Sequence, residues 1–169
     1  MTILNTIILG ITTSFIASLI FSFIFTQLKP KIKISKVISY YENSFKIKII
    51  NKSCFSATNI KAEISYINFF DVPNGIETNS AKIELVKKDF FALAKFDKNS
   101  EYATYTYRLK TKKIENLREG LNKNNREYIR LKIFATHSLS NIGKVFEQKY
   151  KIEDIVNGDF AFGNTFEII

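Results

Sequence analysis

Charge is missing from the start of this chain: no Lys, Arg, Asp, Glu or His precedes Lys29. Cysteine is nearly missing as well. With Cys54 alone, neither an intrachain disulfide nor a multi-cysteine zinc site is possible, and a lone thiol with nothing to lower its pKa is expected to be a small buried hydrophobe. His137 is the single histidine, and no Gly-x-Ser-x-Gly elbow accompanies it, so it is expected to be a solvated strand end rather than a catalytic base. The six glycines (Gly10, Gly75, Gly120, Gly143, Gly158 and Gly163) are far apart and suit turns, which excludes a Gly-rich phosphate loop. Acidic residues are scattered and form no calcium loop. The expectation is therefore a protein without catalytic residues, metal or cofactor, and not an enzyme. Tryptophan is absent, yet Phe and Tyr are abundant, which excludes intrinsic disorder.

What the first 28 residues do contain is Ile, Leu and Phe, with a small or hydroxylated residue at every fourth place: Thr2, Thr6, Gly10, Ser14, Ser18, Ser22 and Thr26. About 20 apolar residues at 1.5 Å each cross the hydrocarbon core, so residues 1–28 are expected to form a transmembrane anchor helix. The apolar stretch is longer than that of a cleavable signal, has no basic side chain before it and no small-x-small site after it, so the anchor is expected to remain uncleaved. A step of four residues turns about 400°, so the stripe drifts about 40° per step. The central quartet Gly10, Ser14, Ser18 and Ser22 spans about 120° and forms the expected self-association face. Lys29, Lys31, Lys33 and Lys36 follow at once, and the positive-inside rule then puts the N-terminus outside and the C-terminal domain in the cytoplasm, at the inner membrane.

All the side-chain charge lies in residues 29–169: 25 Lys and Arg against 16 Asp and Glu, a net +9. This segment is long enough for one domain that buries roughly 68% of its unfolded surface. Pro30 ends the helix, and period-two alternation begins. Ile32 and Ile34 alternate with lysines, as do Phe45, Ile47 and Ile49 with Lys46 and Lys48, which predicts half-buried strands with a wet face. Ile60 to Tyr66, Ile83 with Leu85, Phe91 with Leu93 and Phe96, Ala103 to Leu109, Ile129 to Ala135, Val145 to Tyr150 and Phe160 to Phe166 suggest further strands. Asn68 to Ser80, with Pro73-Asn74-Gly75, is expected to be a loop. Residues 112–122 carry the one helical pattern, with Thr111 as its cap. The fold expected is mainly β: a single transmembrane helix followed by an antiparallel β-sandwich over residues 29–169, with one short inserted helix.

The run Phe45-Lys-Ile-Lys-Ile-Ile-Asn-Lys-Ser, followed by Ala57-Thr-Asn-Ile-Lys-Ala-Glu-Ile, resembles the second and third strands of bacterial Ig-like sandwiches. The resemblance covers about twenty residues; it implies the fold and carries no functional residue across.

Basic clusters are the remaining candidates. Lys110, Lys112, Lys113 and Arg118 form one, and Arg126, Arg130 and Lys132 another, with Tyr128 between. Cations interleaved with tyrosine suit an anionic ligand such as a nucleotide; nucleic acid is not expected as a partner. The leading expectation is a non-enzymatic, membrane-anchored interaction or sensing module that forms homo-oligomers and meets the lipid bilayer and a protein partner. The alternatives are a membrane-disrupting effector of bacterial anti-phage defence gated by an anionic nucleotide, and a periplasmic anchored Ig-like adaptor.

Overall fold

In the computed structural model residues 3–112 and 127–169 are described. Helix α1 (Ile3–Gln27) is followed by ten strands: β1 (Ile32–Ile34), β2 (Ile38–Tyr41), β3 (Ser44–Asn51), β4 (Ala57–Val72), β5 (Gly75–Ile83), β6 (Asp89–Leu93), β7 (Thr106–Lys110), β8 (Glu127–His137), β9 (Gly143–Tyr150) and β10 (Ile155–Asn157). The predicted helix over 112–122 falls, from residue 113 on, outside the described residues. Thr111, its predicted cap, is buried; its hydroxyl accepts from the Phe45 amide at 2.9 Å.

Two sheets make the sandwich. In the first, β3 pairs with β7 along one edge and with both β1 and β2 along the other, while β10 adds to β2. In the second, β4 pairs with β8 along one edge and with β5 and β6 along the other, and β9 follows β8. Among the described residues all strand pairings are antiparallel except β10 with β2, which is parallel. The expected mainly-β sandwich is thus the observed architecture. Its core draws on Ile38, Phe45, Ile47, Ile49 and Leu109 from the first sheet and Ile60, Ile64, Ile129, Leu131, Ile133 and Tyr150 from the second. Each such side chain stabilises by roughly 1.5–3 kcal/mol through burial. The Tyr150 hydroxyl donates to Ser35 O at 2.8 Å across the core, satisfying the backbone where β1 gives way to β2.

Several expectations are corrected. Residues 68–80 are not a loop but the β4–β5 hairpin, paired from Ile64↔Ile83 to Val72↔Gly75. From Gly75 to Lys82 every β5 residue is exposed, so no dry face imposes the alternation by which a strand is recognised in sequence. In β6 it is Phe90 and Leu93 that are buried, while Phe91 is 85% exposed. A register shift between Thr58 and Lys61, with Asn59 at φ 50, turns both Ala57 and Ile60 inward, and their partners Leu93 and Phe90 follow. The expected strand over 160–166 is replaced by an irregular strap closed by the bridge Phe160↔Ile168. Cys54 is exposed rather than buried, and His137 is buried rather than solvated.

The wet face expected for β3 is also dry. Every residue of this strand is buried, Lys48 to 1% exposure, because the strap of residues 158–169 lies across the outer face of the first sheet. A second, smaller core forms there from Ile50, Ala103 and Tyr105, packed by Phe96 and Phe166.

Strand directions fix the two ends of the sandwich. Ile32 pairs with Asn51, Ala57 with both Leu93 and His137, and Ile50 with Thr106. The connections 52–56, 94–105 and 138–142 therefore gather at the end from which α1 leaves. The β2–β3 and β4–β5 turns lie at the other.

Candidate functional site

Among the described residues, the predicted anion-binding side chains stand at two places. Lys110 and Lys112 stand at the end far from α1, where Lys110 lies 3.8 Å from Glu42 and Lys112 lies 2.6 Å from Glu84. The hydrogen bond and charge of Lys112 hold the Glu84 carboxyl below its usual range. Arg130 and Lys132 are on β8, on the outer face of the second sheet. There Arg130 sits between Ser65 and Lys149, and Lys132 between Glu63 and Glu147. Lys113, Arg118 and Arg126 lie outside the described residues. Lys132 lines an open depression of about 600 Å³ with Lys61, Lys82 and Lys88, into which Glu63 and Asp89 bring opposite charge.

Among the described residues, the densest charged cluster lies elsewhere, under the strap. Lys46 Nζ is 2.8 Å from Asp159 Oδ2, and Arg108 Nη1 is 3.5 Å from the same oxygen. Arg108 Nη2 donates to Phe160 O and Lys48 Nζ to Ala161 O, each at 2.7 Å; Lys52 Nζ reaches Asn164 Oδ1. Burial, reinforced by the charge of Arg108, lowers the Lys48 pKa to about 8. Burial alone would raise the Asp159 carboxyl, but hydrogen bonds from Lys46 and the Phe160 amide and the nearby cations outweigh it and leave the pKa lowered. Chemically the cluster is a clamp, because each cation is engaged by the strap. Gly158, at φ +124, admits the strap: a Cβ there would lie 2.6 Å from Ile169 O. Alternation marks Lys46, Lys48 and Arg108 as one face of the sheet. It does not reveal that residues over a hundred positions later for β3, and about fifty for β7, cover that face.

The third arrangement is the end next to α1. Buried Asn51 ties two connections together: its amide donates to Phe55 O at 2.9 Å and to Ala94 O at 2.8 Å, and its Oδ1 accepts from Ser53 N at 3.0 Å. His137 Nδ1 accepts from the amides of Leu139 and Ser140, each at 3.3 Å, and its ring lies 5.0 Å from that of Phe55. Burial lowers its pKa, in keeping with an acceptor nitrogen that must stay unprotonated. Ser140 Oγ donates to Leu28 O at 2.5 Å, fastening the β8–β9 connection to the residue after α1. Lys29, Lys31, Lys33 and Lys36 are all exposed. On α1 itself, Gly10, Ser14, Ser18 and Ser22 are exposed, and Ser18 Oγ donates back to Ser14 O at 2.9 Å.

Among the described residues no three His, Cys, Asp or Glu side chains are grouped as a metal site would require. No family model matches the sequence, and no curated protein matches it. Two solved structures align with part of the chain. The sporulation control protein Spo0M from Bacillus subtilis aligns with a TM-score of 0.39 at 9% identity, over 73% of this chain and 49% of its own. OgpA from Akkermansia muciniphila aligns with a TM-score of 0.30 at 21% identity, over 74% of this chain and 28% of its own. The chain thus spans half or less of either structure.

Proposed function

We propose that this chain is a single-pass membrane protein whose β-sandwich, facing the cytoplasm, serves without catalysis as an interaction or sensing module, and that α1 brings copies together. One observation carries the reading. Helix α1 is 25 residues long and wholly apolar or uncharged, and the sandwich closes its core without burying any residue of it. An apolar helix with no partner in its own domain needs lipid or another helix around it. The exposed lysines at positions 29, 31, 33 and 36 supply the cytoplasmic charge bias.

Expression with a tag after Ile169 tests this. The chain is expected in the membrane fraction at full length, resistant to carbonate. The tag should survive protease added to intact spheroplasts and be lost only after permeabilisation. Loss of the tag in intact spheroplasts would place the sandwich outside, as in the exported adaptor; a product shortened by the length of α1 would make the helix a cleaved signal.

A further inference from the structure

We propose that the end of the sandwich next to α1 rests on the lipid headgroups, with Leu139 set into the membrane interface; this builds on the reading of α1 as a membrane span. The β8–β9 connection is a closed unit. His137 N donates to Ile142 O at 3.0 Å, Asn141 N to His137 O at 2.9 Å, Ser138 N to Ser56 O at 3.1 Å, and Ile142 N to Ser140 Oγ at 3.2 Å. With these bonds and the two to His137 Nδ1, these backbone groups, the Ser140 hydroxyl and the His137 ring are engaged within the connection, while Ser138 and Asn141 stay exposed. The large side chain that the tip presents outward is Leu139, 62% exposed.

The far end also exposes aliphatic side chains, Ile76 and Val86, near its Pro73-Asn74 and Glu42-Asn43 turns; what sets Leu139 apart is its place beside the helix exit. The contact from Ser140 to Leu28 places Leu139 one residue from the point where the span ends, so the bilayer surface is what it meets first. Tyr102, 80% exposed on the 94–105 connection, lies at the same end. Lys29, Lys31 and Lys52 stand there as well, and Lys31 and Lys52 are joined through their backbones at 2.7 Å. An aliphatic tip, an exposed tyrosine and ammonium groups beside a helix exit match the layered chemistry of acyl boundary and anionic headgroup.

The chain has no tryptophan, so one introduced indole reports a single position in the full-length protein. Leu139→Trp, Leu19→Trp and Ile76→Trp are to be reconstituted separately in phosphatidylcholine vesicles containing phosphatidylglycerol, with and without lipid brominated near the top of the acyl chains. Indole at 139 should be blue-shifted and quenched, indole at 19 should be quenched by deeper bromines, and indole at 76, on the far hairpin, should keep a water-like, unquenched spectrum. If 19 is quenched while 139 behaves like 76, the docking is overturned and the span stands. A blue-shifted but unquenched 139 means that protein, such as a second copy, covers the tip, and this also overturns it. If 19 itself escapes quenching, the span reading falls and the docking with it.

Discussion

Lys48 shows how far a single side chain departs from what its neighbours in sequence suggest. Period-two alternation says that Lys46 and Lys48 share a face; it cannot say whether that face meets water. The strap that dries it comes from residues 158–169, and the only local hint is that Asp159 follows Gly158 and precedes an apolar run. The same blindness applies to His137, whose burial depends on Phe55 and on a connection that folds back over it. For Lys48 the sign of the consequence is fixed. Its folded pKa is lowered to about 8 from the ordinary lysine value of 10.5, so between those values the unfolded chain binds more proton than the folded one. Stability from this group is therefore fully present above the unfolded value and is lost as pH falls towards 8. Wild-type stability measured by urea unfolding should contain a rising component between pH 8 and 10, at most on the order of 1 kcal/mol per pH unit. Lys48→Met should flatten that slope, whatever its effect on absolute stability. Parallel pH profiles for the two proteins would show that the lysine is not buried as described.

At the scale of elements, the strands whose core-facing side alternates were legible: β8, the inner half of β4, and β3 through Phe45, Ile47 and Ile49, although the other face of β3 is dry as well. The β4–β5 hairpin was legible only at Pro73-Asn74-Gly75, because its arms overhang the sandwich. The short strands β2 and β10 carry too few residues for a pattern. Helix α1 was legible throughout, but its stripe gains a detail from the structure: Ser18 already donates to the Ser14 carbonyl, so its hydroxyl is less available to a neighbouring helix. Close backbone approach at Gly10 then matters more than hydroxyl exchange. A Cβ on Gly10 would meet nothing within 4 Å in the single chain, so the space beside it is open to lipid or to a neighbouring helix. Gly10→Ile combined with Ser14→Ile should cost about 1–2 kcal/mol of helix association, roughly tenfold in the association constant. A membrane two-hybrid assay reads this directly. An undiminished signal would remove the quartet from any part in assembly and leave α1 as an anchor alone.

For the whole molecule the decisive fact is that the sandwich and the helix share almost nothing. The large core is built from both sheets and the small one from the strap side of the first sheet, and neither includes a residue of α1. A chain beginning at Lys29 keeps Pro30 and Ile32, both buried, and all ten strands. What it loses is the Leu28 carbonyl that accepts from Ser140. One such hydrogen bond is worth about 1 kcal/mol, which in a domain of this size moves Tm by about 4 °C. The edges favour solubility too: β5 carries Glu77 and Lys82, and β9 carries Lys144, Glu147 and Lys149, charges that discourage strand-to-strand association. Residues 29–169 expressed alone should therefore be soluble without detergent and melt cooperatively by circular dichroism, within several degrees of the full-length protein in detergent. An aggregated product, or one that keeps β-type far-ultraviolet signal while losing a cooperative transition, would mean that α1 takes part in forming the sandwich. The separation of anchor from domain, on which the functional reading depends, would then be wrong.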